Sequence, residues 1–280
     1  MSDCLIRPLG PADVAVSRQI SEDAIRSLGI ELPEATPEVV ARGEARIAHL
    51  QRTDPDSAWV AEREGRVVGC GLALVREGMW FLSLLMVDPA QHSRGIGLDL
   101  LDATLKTSTD RSWLLATTDP AAMRRYRRAG FDLVPCVTAS GMVDRALLPA
   151  TAVTEGSWAE HGELVDTITR EIRGAGLAPD LPFLASMGMR VFVAADGYAI
   201  LRSSGLSSLA ARDEATAAQL LWTVLAEAPG PVEIDWLAHN QQWAVDVCLD
   251  ARLSLLKAGG HLFLRGQPPM SPYLPGGALG

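Results

Sequence analysis

Along the first 140 positions the spacing of apolar residues switches between a helical period and strand-like runs, and the switches coincide with turn residues. Cys4–Leu9 predicts a short strand stopped by Gly10-Pro11, and Asp13 is placed to cap a helix whose apolar face carries Val16, Ile20, Ala24 and Leu28. Thr36 before Pro37 gives an N-cap and a first helical position, opening a second helix with Val40, Ile47 and Leu50 on one side. The period then changes. Ser57–Arg63 and Arg66–Val75 are Val-, Ala- and Leu-rich runs joined at Glu64-Gly65, a hairpin pattern, and Met79–Val87 is a more apolar third strand ending at Asp88-Pro89. A glycine-containing loop, Gln91–Gly97, leads into a helix with Leu98, Leu101 and Leu105 in register. Ser112–Thr117 predicts a strand, Asp119-Pro120 starts a helix that Gly130 ends, and Phe131–Val137 predicts the closing strand. The order β-α-α-β-β-β-α-β-α-β is that of an α/β fold on a mixed sheet (α+β).

From Leu147 to Glu155 the composition shifts to Pro149, Ala150 and small polar residues, which reads as a linker. A helix at 157–173 then precedes Arg190–Ala195 and Tyr198–Arg202, a hairpin at Asp196-Gly197 resembling that at Glu64-Gly65. Leu206–Leu209 (strand), Asp213–Glu227 (helix), Val232–Leu237 (strand), Gln241–Leu253 (helix) and His261–Leu264 (strand) follow. The element order repeats although the sequence does not. Two domains are therefore expected, 1–148 and 149–280, with a proline-containing tail from Gly266 lying extended over the surface.

Composition narrows the class. The 280 residues carry 25 Lys and Arg against 34 Asp and Glu, a formal charge of −9, with 48% hydrophobic residues, as expected of a folded globular chain and not of a disordered one. No apolar run approaches the roughly 18 residues of a membrane span, and no secretory h-region follows the start, so the expected location is the cytoplasm and no membrane partner is expected. Cys4, Cys70, Cys136 and Cys248 are scattered without metal-ligand spacing, which predicts small buried side chains and no metal site. Excess acid argues against nucleic acid as a partner. Of the −9, the segment 151–280 holds −6, from 8 basic and 14 acidic residues, which would favour a cationic small molecule there.

The chemistry concentrates at Gln91–Gly97. A strand, a glycine loop and a helix start present unpaired N–H groups and a partial positive charge to an anion, which suits a phosphate or pyrophosphate. Gly95-Ile96-Gly97 does not extend to G-x-G-x-x-G, because Leu100 stands at the third position, and neither a P-loop nor a G-x-S-x-G elbow is present. The segment His92-Ser93-Arg94-Gly95-Ile96-Gly97, preceded by Val87-Asp88-Pro89, resembles the acyl-CoA loop of the GNAT superfamily of N-acetyltransferases, [QR]-x-x-G-x-[GA]. It departs in having His92 first, with Gln91 beside it. Tyr126 followed by Gly130-Phe131 resembles a second family mark on the helix after the fifth strand. The resemblance covers residues 4–137.

That resemblance implies acetyl-CoA as co-substrate, held by His92, Ser93, Arg94, Gly95, Ile96 and Gly97 through its pyrophosphate and by Leu85, Met86 and Val87 through its pantetheine amides. It implies Tyr126 as the acid that protonates the departing thiolate, and a small-molecule amine, cationic on the charge argument, as acceptor. A carboxylate base on the strand before the loop is missing, because Trp80–Val87 offers only Ser83, leaving water, Glu77, Asp119 or the second domain. The second half carries Ala210-Ala211-Arg212-Asp213-Glu214-Ala215 where the loop would stand. With Gln241-Gln242-Trp243-Ala244-Val245 and Tyr273-Leu274-Pro275-Gly276-Gly277, it is similar to tandem GNAT proteins in which one copy has lost CoA binding. The expected protein is a tandem GNAT-like N-acetyltransferase, monomeric or homodimeric, with a degenerate C-terminal copy. The alternatives are a non-catalytic acyl-CoA sensor or scaffold, a mycothiol-synthase-like tandem acetyltransferase, plain turn roles for Gly95 and Gly97, and a core role for Tyr126. His49, His161, His239 and His261 are isolated and read as structural, and the arginines flanking Tyr126 as a solvated face or a CoA phosphate contact.

Overall fold

A computed structural model of the chain describes residues 3–91, 94–203, 205–277 and 279. Two series of elements run in the same order. The first is β1 (Leu5–Pro8), α1 (Val14–Ser27), α2 (Pro37–Thr53), β2 (Ala58–Arg63), β3 (Arg66–Arg76), β4 (Met79–Val87), α3 (Ile96–Thr104), β5 (Arg111–Thr117), α4 (Pro120–Arg128), β6 (Asp132–Val134) and β7 (Cys136–Gly141). The second is β8 (Thr154–Gly156), α5 (Trp158–Arg173), α6 (Leu181–Ser186), β9 (Arg190–Ala194), β10 (Gly197–Arg202), β11 (Gly205–Ala211), α7 (Glu214–Glu227), β12 (Val232–Ala238), α8 (Gln242–Asp250), β13 (Ser254–Lys257) and β14 (Gly260–Arg265). A last short strand, β15 (Tyr273–Leu274), has no counterpart in the first series. The repeat is thus fuller than the pattern predicted. The short α6 and the exposed β13 were too brief to carry a period, and the expected strand over Phe131–Val137 is two strands separated at Pro135.

The chain divides into two compact units, residues 1–114 with Leu279 and residues 115–278, so the division falls inside β5. The linker expected at 147–155 lies within the second unit. In the first unit, β1, β2, β3 and β4 form an antiparallel meander, and β5 joins β4 in parallel. Glu64-Gly65 and Glu77-Gly78 turn the two long hairpins with both residues of each pair at positive φ, 52° and 73°, then 47° and 74°. That is the primed turn whose twist matches the strands. Helices α1 and α2 cover one face and α3 the other. Thr36 caps α2 as expected, its hydroxyl accepting from the Val39 N–H. Asp13 does not cap α1. Its carboxylate accepts from Arg7 at 2.7 and 3.0 Å and from the Gly10 N–H at 2.8 Å, a stronger charge-assisted set than a cap provides. At the far end of the sheet the buried Asp54, which follows α2, takes two bonds of 2.9 Å from the Arg76 guanidinium and one from the Val75 N–H.

In the second unit the pairing of strands departs from chain order. β14 lies between β5 and β6, and β7 lies between β12 and β13. β14 and β7 close their respective series, so each series takes its penultimate place in the sheet from the other. β6 pairs antiparallel with β14 from Leu262↔Val134 to Leu264↔Asp132, and β7 pairs with β13 and β12 on its two edges. This reciprocal exchange is why residues 115–141 cluster with the second half of the chain. Helices α7 and α8 contribute Leu220, Leu221, Val224, Trp243 and Val247 to one core with Leu209, Ile234 and Ala139. Gly197 proves to be a packing glycine and not a turn residue. It sits inside β10, where a Cβ would stand 2.8 Å from the Ala211 Cβ and 2.7 Å from Leu220, and the turn itself is Ala195-Asp196.

Candidate acyl-CoA site

Within the first unit the site is built by how α3 is seated. Gly69 and Gly71 on β3 leave the helix side of the sheet bare. A Cβ on Gly69 would stand 3.0 Å from Leu100 Cδ1 and 3.0 Å from the Met86 carbonyl, and one on Gly71 would stand 3.1 Å from Thr104 Cγ2. Between them Cys70 points to the opposite face, where its Sγ lies 3.9 Å from the Ser21 Oγ and 3.9 Å from the Ser17 carbonyl of α1. Two alternate glycines therefore let α3 lie directly on the backbone. Ile96 and Leu100 bury against Ala61 and Val68 there, each worth roughly 1.5–3 kcal/mol of apolar burial.

This seating fixes the start of α3. Gly95 adopts φ 81°, which a β-carbon disfavours, and its carbonyl accepts the first helical bonds, from the Leu98 and Asp99 N–H groups at 2.9 and 3.1 Å. The N–H groups of Ile96 and Gly97 precede those bonds and point out of the helix end, with no side-chain cap on Gly95. Arg94 and Gly95 are exposed, while Ile96 and Gly97 are buried. An anion fits this end. Of the six loop residues expected to hold the cofactor, Arg94, Gly95, Ile96 and Gly97 are described, and His92 and Ser93 lie outside the described residues. Gln91 is turned aside, its side-chain oxygen accepting from Arg63 at 3.2 Å.

β4 supplies the second part. Its parallel register with β5 runs from Met79↔Arg111 to Leu82↔Leu114, and β4 continues five residues further, to Val87. At the same level the register with β3 shifts, Leu72 facing Leu84 and Ala73 facing Leu82, so Ser83 is the extra residue of a bulge. A bulge bends its strand and re-aims the groups after it. Leu85, Met86 and Val87 are half-buried beyond it, on the stretch of β4 past the last pair with β5. Amide-containing arms can add to such a strand by main-chain hydrogen bonds. Neither the bulge nor the seating glycines were anticipated; a G-x-G inside a strand was the available signal for the second.

Tyr126 belongs to the second unit. Its ring is 6% exposed and meets Phe263 edge-on, with centroids 5.4 Å apart, so it has a core role. Its hydroxyl makes no hydrogen bond to a described residue. Burial, opposed by Arg125 and aided by Asp119, pushes its phenol up to about 12, keeping the proton on at neutral pH. Of the carboxylates considered as base, Asp119 is spent capping α4, accepting from the Ala121 and Ala122 N–H groups at 3.0 and 3.1 Å. Glu77 sits before the start of β4, about 20 Å along the strand from Leu84 at ~3.3 Å per residue. A carboxylate pair that the sequence reading missed stands on β12. Glu233 is pushed up by burial and by Asp235 two residues on, and Asp235 accepts from the Thr138 hydroxyl at 2.7 Å.

The corresponding places in the second series are filled. Where Gly95 begins α3, Asp213 begins α7, and its carboxylate accepts from the Thr216 N–H and hydroxyl at 2.8 and 2.9 Å, which holds its pKa below the usual carboxylate range. The end of β11, equivalent to the stretch of β4 past its last pair with β5, is paired with β15, Leu209↔Leu274 and Ala210↔Tyr273. The tail does not lie over the surface as expected. Tyr273 and Leu274 are 1% exposed, and Asn240 and Gln241 hold the preceding carbonyls of Pro269 and Met270. A strand edge that opens inside a fold needs partners for its backbone, and the tail provides them.

Among the described residues no group of three or more His, Cys, Asp or Glu is placed to hold a metal ion, and no helix is long and apolar enough to cross a membrane. Cys70, Cys136 and Cys248 are buried, and burial raises their thiols to about 11, 11 and 12. No curated protein matches the sequence. Among solved structures, the chain is similar to a putative acetyltransferase from Pyrococcus horikoshii at 17% identity and TM-score 0.81, covering 100% of this chain and 97% of that one. A GCN5-related N-acetyltransferase from Sphaerobacter thermophilus is similar at 16% identity and TM-score 0.57 over 95% of this chain and 96% of the other. A tandem GNAT protein from the clavulanic acid biosynthesis pathway is similar at 14% identity and TM-score 0.56 over 95% of this chain and 100% of that one. The chain therefore has the mixed α/β GNAT-like fold, its length fitting two tandem copies, and residues 23–131 match the model of the Acetyltransferase (GNAT) family.

Proposed function

We propose that the chain transfers acetyl from acetyl-CoA to a primary amine by direct attack. The observation that carries this reading is the joint geometry of Gly95 and Ser83: an uncapped helix start for the pyrophosphate, and a bulged strand that runs five residues past its last pair with β5, where the pantetheine amides would lie. Ile96 and Gly97 would donate backbone N–H groups to phosphate oxygens, with Arg94, His92 and Ser93 completing the loop, and Leu85–Val87 would take the amide arm. The N–H groups after the bulge would stabilise the oxyanion that forms when the amine nitrogen adds to the thioester carbonyl. The C–S bond then breaks, the thiolate takes the Tyr126 proton, and the amine gives its own proton to water or a carboxylate. The tandem arrangement enters this proposal with one active copy. Asp213 and β15 stand where the second copy would hold phosphate and pantetheine, which also disfavours a mycothiol-synthase-like assignment of activity to the C-terminal side.

The experiment is thiol release from acetyl-CoA over a panel of primary amines, with calorimetric titration of acetyl-CoA beside it. Amine-dependent release is expected, and in Gly95→Val both release and binding should be lost, because the side chain is strained at φ 81° and enters the anion's place. Binding without release from any amine would instead mark an acyl-CoA sensor. Unchanged affinity in Gly95→Val would remove the loop from the proposal.

A further inference from the structure

Arg46 is a cation in the first unit that the acyl-CoA reading leaves without a task. It lies half-buried on α2, one turn beyond Gly43, where α2 crosses α1 closely enough that a Cβ would stand 3.2 Å from the stem of Arg18. Arg18 is paired, with Glu22 and Glu44. Arg46 has no hydrogen bond or ion pair to any described residue, and its Nε is fully buried with no acceptor. The group that feels its charge is the Cys70 thiol, and no carboxylate acts on it in return. Ser17, which is fully buried on α1 and whose carbonyl meets Cys70, likewise has a hydroxyl without a partner. Burying part of a guanidinium without an acceptor is costly, and an anion arriving from outside would offset that cost.

Its position says which anion. Cys70 pairs across the sheet with Met86, on the stretch of β4 past its last pair with β5, and faces α1 and α2, away from α3. Arg46 therefore stands on the face opposite the helix that meets the pyrophosphate. It is at the level of a strand position about 10 Å from the bulge at Ser83, at ~3.3 Å per residue. We infer that Arg46 binds the carboxylate of the acceptor, so that the substrate class is amines that also carry a carboxylate, of amino-acid or dipeptide size. One guanidinium beside neutral Ser and Cys side chains suits a monoanion better than a phosphate dianion, which is ordinarily met by several donors and cations. The inference rests on the reading that β4 carries the acyl thioester. It also replaces the cationic acceptor expected from net charge, because long-range charge steers encounter while a contact cation sets recognition.

The test separates the two readings by using binding as well as turnover. N-Acetylated glycine, γ-aminobutyrate, lysine and glycylglycine are titrated calorimetrically into the full chain with CoA present, each against its C-terminal amide. At least one acid should bind tenfold or more tighter than its amide, and Arg46→Met should erase that difference while Arg46→Lys keeps part of it. Thermal melting of Arg46→Met should match or exceed that of the wild type, because an uncompensated half-buried charge has been removed. A midpoint several degrees lower would make Arg46 a structural residue and overturn the inference. So would equal affinity for every acid and amide pair, a retained preference in Arg46→Met, or a preference for N-acetylated phosphoethanolamine over all the acids. If the acid preference holds while no amine supports thiol release, acetyl transfer fails and the carboxylate site stands.

Discussion

The seating of α3 on two glycines makes a sharp prediction, because it separates the packing of the loop from the loop's own sequence. In Gly69→Ala the new Cβ meets the Leu100 methyl at 3.0 Å and the Met86 carbonyl at 3.0 Å, with Ile96 Cγ2 at 3.5 Å behind. Leu100 can yield by changing rotamer, but the carbonyl belongs to β4 and cannot. The helix must rise by a few tenths of an ångström, or the hairpin must open. Overpacking of this kind costs about 1–3 kcal/mol. Moving the start of α3 also disturbs two donors to a phosphate, and weakening one charge-assisted bond worth about 1.5–3 kcal/mol lowers affinity about tenfold or more. The control is Gly65→Ala in the distal hairpin, where φ is 73° but nothing lies within 4 Å of the new atom. It should cost a similar ~1–2 kcal/mol through backbone strain alone. Both variants should therefore melt several degrees low in calorimetry, and only Gly69→Ala should lose affinity for acetyl-CoA. Equal affinities in the two variants would refute the claim that β3 positions the phosphate-binding end.

Two further outcomes follow from the second unit. Tyr126→Phe should lower turnover about a hundredfold or more with acetyl-CoA affinity retained. With its native pKa near 12, above the ordinary value of 10, Tyr126 favours the folded state fully below pH 10 and loses that contribution as pH rises through 12, so wild-type kcat should show no decline from this group up to pH 9; wild-type turnover in the phenylalanine variant would end the assignment. Calorimetric titration should give one acetyl-CoA per chain, because Asp213 and β15 occupy the second set of places, and Tyr273→Ala should destabilise by about 3–5 kcal/mol through loss of a fully buried ring; two equivalents bound to the wild type would overturn the filled-slot reading.

What the sequence disclosed tracks the range of the interactions involved. Thr36-Pro37, Asp119-Pro120 and Glu64-Gly65 act on the residues beside them, and each starts or turns the element it was expected to. Asp13 carries the same cap signature but answers to Arg7, six residues back, and to a neutralised charge worth more than a cap. Arg46 looks like any helix-surface arginine until its Nε proves to be buried with no acceptor among the described residues. The loop at Gly95 was legible because its features are local: a positive φ, two outward N–H groups and a helix. The bulge at Ser83 was not, because it is a property of two strands, whereas Leu85, Met86 and Val87 were expected through the family resemblance alone.

The strand exchange is the extreme of that non-locality, and it gives the second series of elements a part in the packing of the first. A chain cut at the expected boundary of 148 would keep β6 and β7 but lose β14, which pairs with β6, and β12 and β13, which flank β7. Both strands would expose unpaired edges, and each exposed edge leaves backbone groups that the fold had satisfied. The α4 segment would also lose Phe263, the ring that packs against Tyr126. Positioning of the acid proposed for the first copy therefore depends on a residue at position 263. The second series therefore constrains the packing around Tyr126 through β14, a mechanical duty that does not depend on whether it holds a ligand of its own.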